Sequence, residues 1–438
     1  MRRWIAGGAL AALLILGIAA VVWLRNSNSE PAPGIAAPLP TVQPSPSGSR
    51  RGIVVASPST NGDNVVHAVP ATIIADCSVD ITEELTTWLQ QVPNNAIIQF
   101  PTNGCYRADT TVEVAGKADW IIRGNNALLK RVEPTPPSLQ YPRSNSHLRL
   151  IDFHTGIIDG LRVEGLNTVS DMEHLRPDYG AYVEELEFEH GIAMYGAHDV
   201  LVEDVRVDAV FGDGIYMAGG DEYSPTWSDG VSIRNATVDK NGRQGIAVVR
   251  SRNVIIADSH ILHSRRSGID LEPDSSDESI DNVKIVGNEL TTWLMPVAAH
   301  GAGAVNNVLV ESNSITSSSV PWISSRSSND IPRHHWTVRY NVVHSFLGSP
   351  VPAFRFHATT DVVVEYNVVP LTDAQSRWAV GLYLGSTAQI TCNWFSRAFG
   401  PDGIRAEDAA SSYVSRDNSV NPNTPPACLE RARGSLPG

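Results

Sequence analysis

EHGIAMY (189–195), FGDGIYM (211–217), GRQGIAVV (242–249) and RRSGIDLEP (265–273) are four copies of one strand. Their alignment superposes Ile192, Ile215, Ile246 and Ile269, and two residues on Met194, Met217, Val248 and Leu271. Side chains alternate across a strand, so if these residues point inward the residues between them point outward. The outward set is Ala193, Tyr216, Ala247 and Asp270, followed by Tyr195, Ala218, Val249 and Glu272.

A second strand recurs around these copies. It ends at Asn125 in DWIIRGN, at Asn288 in NVKIVGN, at Asn313 in NVLVESN, at Asn341 in HWTVRYN, at Asn367 in DVVVEYN and at Asn393 in TAQITCN. DVLVEDV (199–205), GVSIRNA (230–236) and NVIIADS (253–259) are degenerate copies. Most repeats are roughly 23 to 31 residues apart, and the pattern lacks the leucines of a horseshoe repeat. A propeller blade needs ~40–50 residues and fits poorly. One such unit cannot bury its apolar face alone, but stacked coils can. The expected architecture is an all-β parallel β-helix, with the asparagines laddered inside one turn.

The chain has 438 residues, 42% of them hydrophobic and 18% charged, with a net charge of −14. That composition indicates a packed domain. The acidity argues against nucleic acid, which demands a basic surface. It repels a polyanionic glycan except at a local basic patch.

Trp4 to Leu24 is apolar throughout, about 21 residues, long enough to cross a bilayer. Arg2 and Arg3 precede it, so the remainder is expected outside the cytoplasm. Residues 1–26 therefore read as a transmembrane signal anchor, with a cleaved, secreted form as the alternative. Residues 27–70, rich in Pro and Ser, read as a tether, residues 71–400 as the β-helix and 401–438 as a tail packed on its last coils. Residues 80–92 carry apolar positions at helical spacing, Ile81, Leu85, Trp88, Leu89 and Val92, before the strands begin. Four cysteines in an exported chain suggest two disulfides, most simply Cys77–Cys105 and Cys392–Cys428; four free thiols are the alternative.

The outward face of the four aligned copies is the candidate site. Asp270 and Glu272 lie two apart on one face, roughly 7 Å, which suits an acid and a base acting on a glycosidic bond through a water. Asp213, in a Gly-Asp-Gly turn, is a third candidate carboxylate. Arg243 and Arg266 fall one coil apart, able to neutralise these carboxylates or hold an anionic sugar. Gln244 offers hydrogen bonds, Tyr216 a stacking face, and His190 a further substrate contact. Each has a structural alternative: a salt-bridge ladder for the arginines and Asp270, a turn for Glu272 and Asp213, and packing for Tyr216. The segment 167–190 inserts into one coil, with Tyr182, Val183, Leu186 and His190 on one helical face; it reads as a lid or as a packed decoration. The insertion at 219–230 carries Tyr223 and Trp227, aromatic residues suited to carbohydrate if exposed. Asp274, Asp277, Glu278 and Asp281 cluster in one turn without Ca2+-loop spacing.

FPTNGCYRADTTVEVAGKADWIIRGNNALL (100–129), NGRQGI (241–246) and RRSGIDLEP (265–273) together resemble exported right-handed parallel β-helix proteins of the pectate-lyase-like superfamily. The likeness runs from Ala71 to about Ala398. It implies a right-handed coil and a polysaccharide partner. The superfamily's enzyme motifs are matched only in part: Asp213 stands alone where polygalacturonase-like hydrolases pair two aspartates, and EPD (272–274) replaces the Asp-Pro-His-Asp of alginate-epimerase-like proteins. The expectation is a monomeric glycoside hydrolase working through Asp270, Glu272 and Asp213. The alternatives are a polysaccharide lyase with an arginine base and Ca2+, and a non-catalytic glycan-binding surface protein.

Overall fold

A computed structural model describes residues 65–140, 144–167, 180–317, 321–327, 329–345, 351–369, 378–396, 398 and 400–435. The apolar stretch 4–24 and most of the tether lie outside the described residues. Among the described residues no helix is long and apolar enough to cross a membrane.

Three parallel sheets wind around one core. The first runs from Val65–Ala68 to Ser412–Arg416, the second from Asp76–Asp80 to Val342–Ser345, and the third from Val112–Ala115 to Ile404–Ala406. Each coil visits them in turn. After Ile246–Val248 in the third sheet come Ser251–Ala257 in the first, His260–Ser264 in the second, and Ile269–Leu271 back in the third. Val, Ile and Leu side chains fill the inside, most of them wholly removed from water. Their β-branched shape suits a pleated surface buried on its inner face.

The asparagine ladder forms as the repeat implies. Asn313 Nδ2 donates to the Ile285 carbonyl and to Asn341 Oδ1, whose other lone pair accepts the Asn313 backbone N–H. The same pattern recurs at Asn288, Asn341, Asn367 and Asn393. Every turn buries polar backbone groups, and one amide per coil satisfies them. Asn125 does not join. It is exposed at a left-handed position (φ 50°) and donates to the Phe100 carbonyl.

Both ends depart from the expected boundaries. Val65–Ala68 already pairs with Ala96–Gln99, six residues before Ala71. At the other end, Ser412–Arg416 pairs with Thr387–Thr391 and Asn418 extends the ladder, so residues 404–418 form a further coil and not a packed tail. Helix Thr82–Gln91 buries Leu85 and Leu89 in the core cluster, and its last carbonyls are capped by Lys117 Nζ at 2.7 Å. Cys77–Cys105 closes the first coil, and Cys392–Cys428 ties helix Ala427–Ser435 to the end of strand Thr387–Thr391, in the coil before the last.

Candidate active site

The third sheet keeps the register read from the sequence. Ile192, Ile215, Ile246 and Ile269 are direct neighbours, as are Ala193, Tyr216, Ala247 and Asp270. Glycine precedes each isoleucine because the coils close tightly there. A Cβ on Gly245 would come within 2.2 Å of Ile261 Cγ2 and 2.7 Å of the Gly268 carbonyl. Ala193, Tyr195, Ala218 and Val249 form a small apolar cluster separate from the main core, as an outward row covered by other segments should.

Arg243 is the hub. Its guanidinium lies 3.2 Å from Asp213 Oδ2 and 3.7 Å from both Glu272 Oε2 and Glu187 Oε2. Burial works against its charge, but Asp213, Glu272 and Glu187 together hold its pKa above the ordinary arginine value. Asp213 is fully buried and also accepts the Gln244 backbone N–H at 3.0 Å. Burial pushes its carboxyl up to about 6, against the pull of Arg243.

Gln244 joins this group to Asp270. Its Nε2 donates to Asp270 Oδ2 at 3.2 Å, while Asp270 Oδ1 and Gln244 Oε1 are buried without a partner. Burial raises the Asp270 carboxyl to about 8, and the Glu272 charge acts in the same direction. Both effects favour the protonated, neutral form of Asp270. The Glu272 side chain is 33% exposed, and its backbone N–H still bonds the Val248 carbonyl, so the strand continues past Leu271. Asp274 follows, raised to about 7 by burial, then by Glu272 and Glu278.

His190 and Tyr216 correct the sequence reading. Their rings stack at 4.4 Å and 7°, so one face of Tyr216 is taken by His190 and is closed to a sugar. Burial first, then Arg243 and Arg149, drive the His190 pKa well down. Its Nδ1 accepts the Asp213 backbone N–H at 3.1 Å, which puts the ring proton on Nε2. The 3.4 Å approach of Nδ1 to Asp213 Oδ2 is thus not an ion pair. Arg266 bonds its backbone to Arg243 and lays its guanidinium over the Tyr182 ring at 4.9 Å, making no ion pair with a carboxylate among the described residues although its charge still acts on Asp270.

The inserted segment, described from 180, supplies what the sequence did not single out. It holds one short 3-10 turn, Glu184–Leu186, so no helical face unites Tyr182, Val183, Leu186 and His190. It does cover the site. Tyr182 donates to Glu187 at 2.9 Å, and Glu187 reaches Arg243. The neighbouring Glu189 is buried against Arg131 at 2.9 Å. Tyr223 packs on Tyr195 at 4.5 Å with Arg149 above it at 4.8 Å, so it is not a free stacking platform. The acidic turn is internally capped. Glu278 accepts from the Asp274 backbone N–H and from Ser275, and pairs with Arg250 at 2.5 Å. Among the described residues no three His, Cys, Asp or Glu side chains converge as metal ligands.

The coil register defines the class by fold alone: a parallel β-helix protein. Residues 175–343 match the family described as "Right handed beta helix region". Among solved structures, the A-module of the mannuronan C-5 epimerase AlgE4 from Azotobacter vinelandii is similar at 13% identity over 79% of this chain and 93% of that one (TM-score 0.52). PfbA, a surface adhesin of Streptococcus pneumoniae, is similar at 14% over 82% and 90% (0.50). A family 28 exopolygalacturonase from Yersinia enterocolitica reaches 10% over 82% and 79% (0.49). At these identities the likeness is one of fold. No curated protein matches the chain.

Proposed function

We propose that this chain is an extracytoplasmic glycoside hydrolase whose proton donor is Asp270. The observation that carries the reading is a buried carboxyl on the outer row of the sheet, its Oδ1 unpartnered and its pKa raised by burial, two residues from a second carboxylate. Hydrolysis needs an acid for the leaving oxygen and a base for a water, set roughly 6.5–9.5 Å apart in inverting enzymes. Asp270 takes the first role and Glu272, partly exposed, the second. Arg243 steadies Glu272. Asp213, fully buried and bound to Arg243 and Gln244, is a positioning residue in this scheme. Glu187 completes the clamp on Arg243.

The lyase alternative asks an arginine to give up its proton. Arg243 is the wrong group for that, because three carboxylates stabilise its charge. Fold likeness to an epimerase that acts on mannuronan supports a glycan as the partner. The two disulfides support an oxidising setting outside the cytoplasm.

The test is a polysaccharide panel assayed for new reducing ends and for ultraviolet absorbance of unsaturated products. The expected result is reducing ends without absorbance, lost at least 100-fold in Asp270→Asn and Glu272→Gln. Cleavage unchanged in both variants, glycan binding without any product, or products that absorb would each overturn it.

A further inference from the structure

The coils beyond Asp270 keep its register, through Ala298 and Ser324 to Arg355, so the corners that follow these strands stack as well. Residues 299–303, after strand Val297–Ala299, press on residues 273–278, the corner that begins right after Glu272. The Ala302 N–H donates to the Pro273 carbonyl at 2.6 Å, and the Ala304 N–H to the Glu278 carbonyl at 3.3 Å. Two glycines allow the approach. A Cβ on Gly301 would stand 2.3 Å from the Pro273 carbonyl oxygen and 2.4 Å from its nitrogen, and one on Gly303 would stand 2.2 Å from the Glu278 carbonyl oxygen.

One side chain holds the upper corner in shape. Arg333 is fully buried and comes from strand Arg333–His334, one coil further on. Its Nη1 donates to the Ala299 carbonyl and to Ser325 Oγ, and its Nη2 to the carbonyls of Gly301 and Gly303 at 3.0 and 3.1 Å. Among the described residues no carboxylate forms an ion pair with it, and burial lowers its pKa to about 10. A cation kept out of water without a counter-ion is costly. What it secures is geometry. The rigid fork of a guanidinium gathers carbonyls from one corner in a fixed arrangement, which the flexible point charge of a lysine does not.

We propose that Arg333 is a positioning residue for Glu272: it fixes the corner 299–303, which fixes Pro273 and with it the place of the Glu272 carboxylate beside Arg243 and Asp270. The role of Glu272 rests on the hydrolase reading above, to which this adds the residue that sets the base at its distance from the acid. Asp270 reports where that carboxylate stands. It is faced by Glu272 on its own strand, by Gln244 and Arg243 from the preceding coil and by Arg266 from the turn before the strand, and the Arg333 charge reaches it too. Glu272 itself faces Arg243, and its charge also acts on Asp213 and Asp274. The Glu272 charge raises the Asp270 carboxyl, so a displaced Glu272 raises it less. Loss of the Arg333 cation alone has the opposite sign, because a positive charge nearby lowers a carboxyl. The direction of the shift separates positioning from plain charge.

The Asp270 titration can be followed without substrate, as the Tm difference against pH between the full chain and the same chain carrying Asp270→Asn, in each background. In Arg333→Met the midpoint is expected to fall by at least ~0.5 pH unit, about threefold in proton affinity. Gly301→Ala keeps the cation but displaces Pro273, and should shift the midpoint the same way. Arg333→Lys keeps the charge without the fork and should shift it down as far or further. Asn341→Ala, destabilising but remote from this corner, should leave it in place. An upward shift in Arg333→Met with none in Gly301→Ala would make Arg333 a charge and nothing more, and overturns the proposal. An unmoved midpoint in both variants overturns it equally, even where Asp270→Asn abolishes cleavage. Gly301→Ala remains decisive if Arg333→Met fails to fold. On a cleaved glycan, the alkaline limb of kcat/KM should move down by the same amount in these variants. A lowered midpoint with no polysaccharide cleaved sinks the hydrolase reading and leaves the positioning of Glu272 standing.

Discussion

Gln244 donates to one oxygen of Asp270 at 3.2 Å, and the other oxygen has no partner although it is buried. Burial, with the Glu272 charge beside it, outweighs the pull of the Gln244 amide, Arg243 and Arg266, and so favours the protonated acid. The stability consequence has a definite sign. Below the unfolded pKa near 4, folded and unfolded states both carry the proton and the contribution is full. As pH rises from about 4 to about 8 the unfolded chain ionises first, and this contribution is lost. The slope is at most about 1.4 kcal/mol per pH unit for one group. Asp270→Asn should flatten the fall in Tm between pH 5 and 8 and be the more stable protein at pH 8. A parallel shift at both pH values would contradict the raised carboxyl.

Arg131 and Glu189 form a pair almost wholly removed from water, backed by Thr135 and the Asn145 carbonyl. Glu189→Ala strands a buried cation and should cost about 3–5 kcal/mol in chemical denaturation. Replacing both by Met and Leu should recover most of that loss. If the single variant costs under 1 kcal/mol, the pair is not buried as described.

Within the ladder, Asn341 accepts from Asn313 and donates to Asn367 and to the Val310 carbonyl. Asn341→Ala leaves buried groups on both neighbouring coils unsatisfied, for a loss of about 2–3 kcal/mol. Asn341→Asp should be worse at neutral pH, since a carboxylate oxygen would face the Val310 carbonyl and Asn367 Oδ1. Urea titration of both variants checks the order.

Gly245→Ala puts a methyl against Ile261 and the next coil's carbonyl. Overpacking of this kind costs about 1–3 kcal/mol. Hydrogen exchange should show the opening localised to strands Ile246–Val248 and Ile269–Leu271.

Breaking Cys392–Cys428 by Ser substitution at both positions should cost about 3–4 kcal/mol, from the 36-residue separation it closes. Limited proteolysis should then cut first near helix Ala427–Ser435. Resistance equal to the parent would mean the helix holds by packing alone.

What could be read in advance was whatever the coil repeats. The isoleucine register, the outward set containing Asp270, the asparagine ladder and both disulfides followed from period and count. Side chains one coil apart must meet, so Arg243 near Asp213 and Gln244 near Asp270 were implied by alignment. What covers that face was not legible. Glu187 reaches Arg243 from an insertion with no counterpart in other coils, and no spacing rule places an insertion on a surface. The loss of Tyr216 to His190 has the same origin, because the histidine lies before the strand where alternation no longer fixes direction. Asn418 went unread because its coil, SSYVSRDN (411–418), departs from the β-branched pattern.

The unbroken register from Asp270 to Arg355 has an evolutionary and an engineering meaning. Inserting or deleting one whole coil between them would move Asp270 and Arg355 apart or together by one quantum of ~4.8 Å, with the surroundings of neither disturbed internally. The rod thereby acts as a graduated ruler, on which the reach between two side chains of one row is set by how many turns the gene encodes.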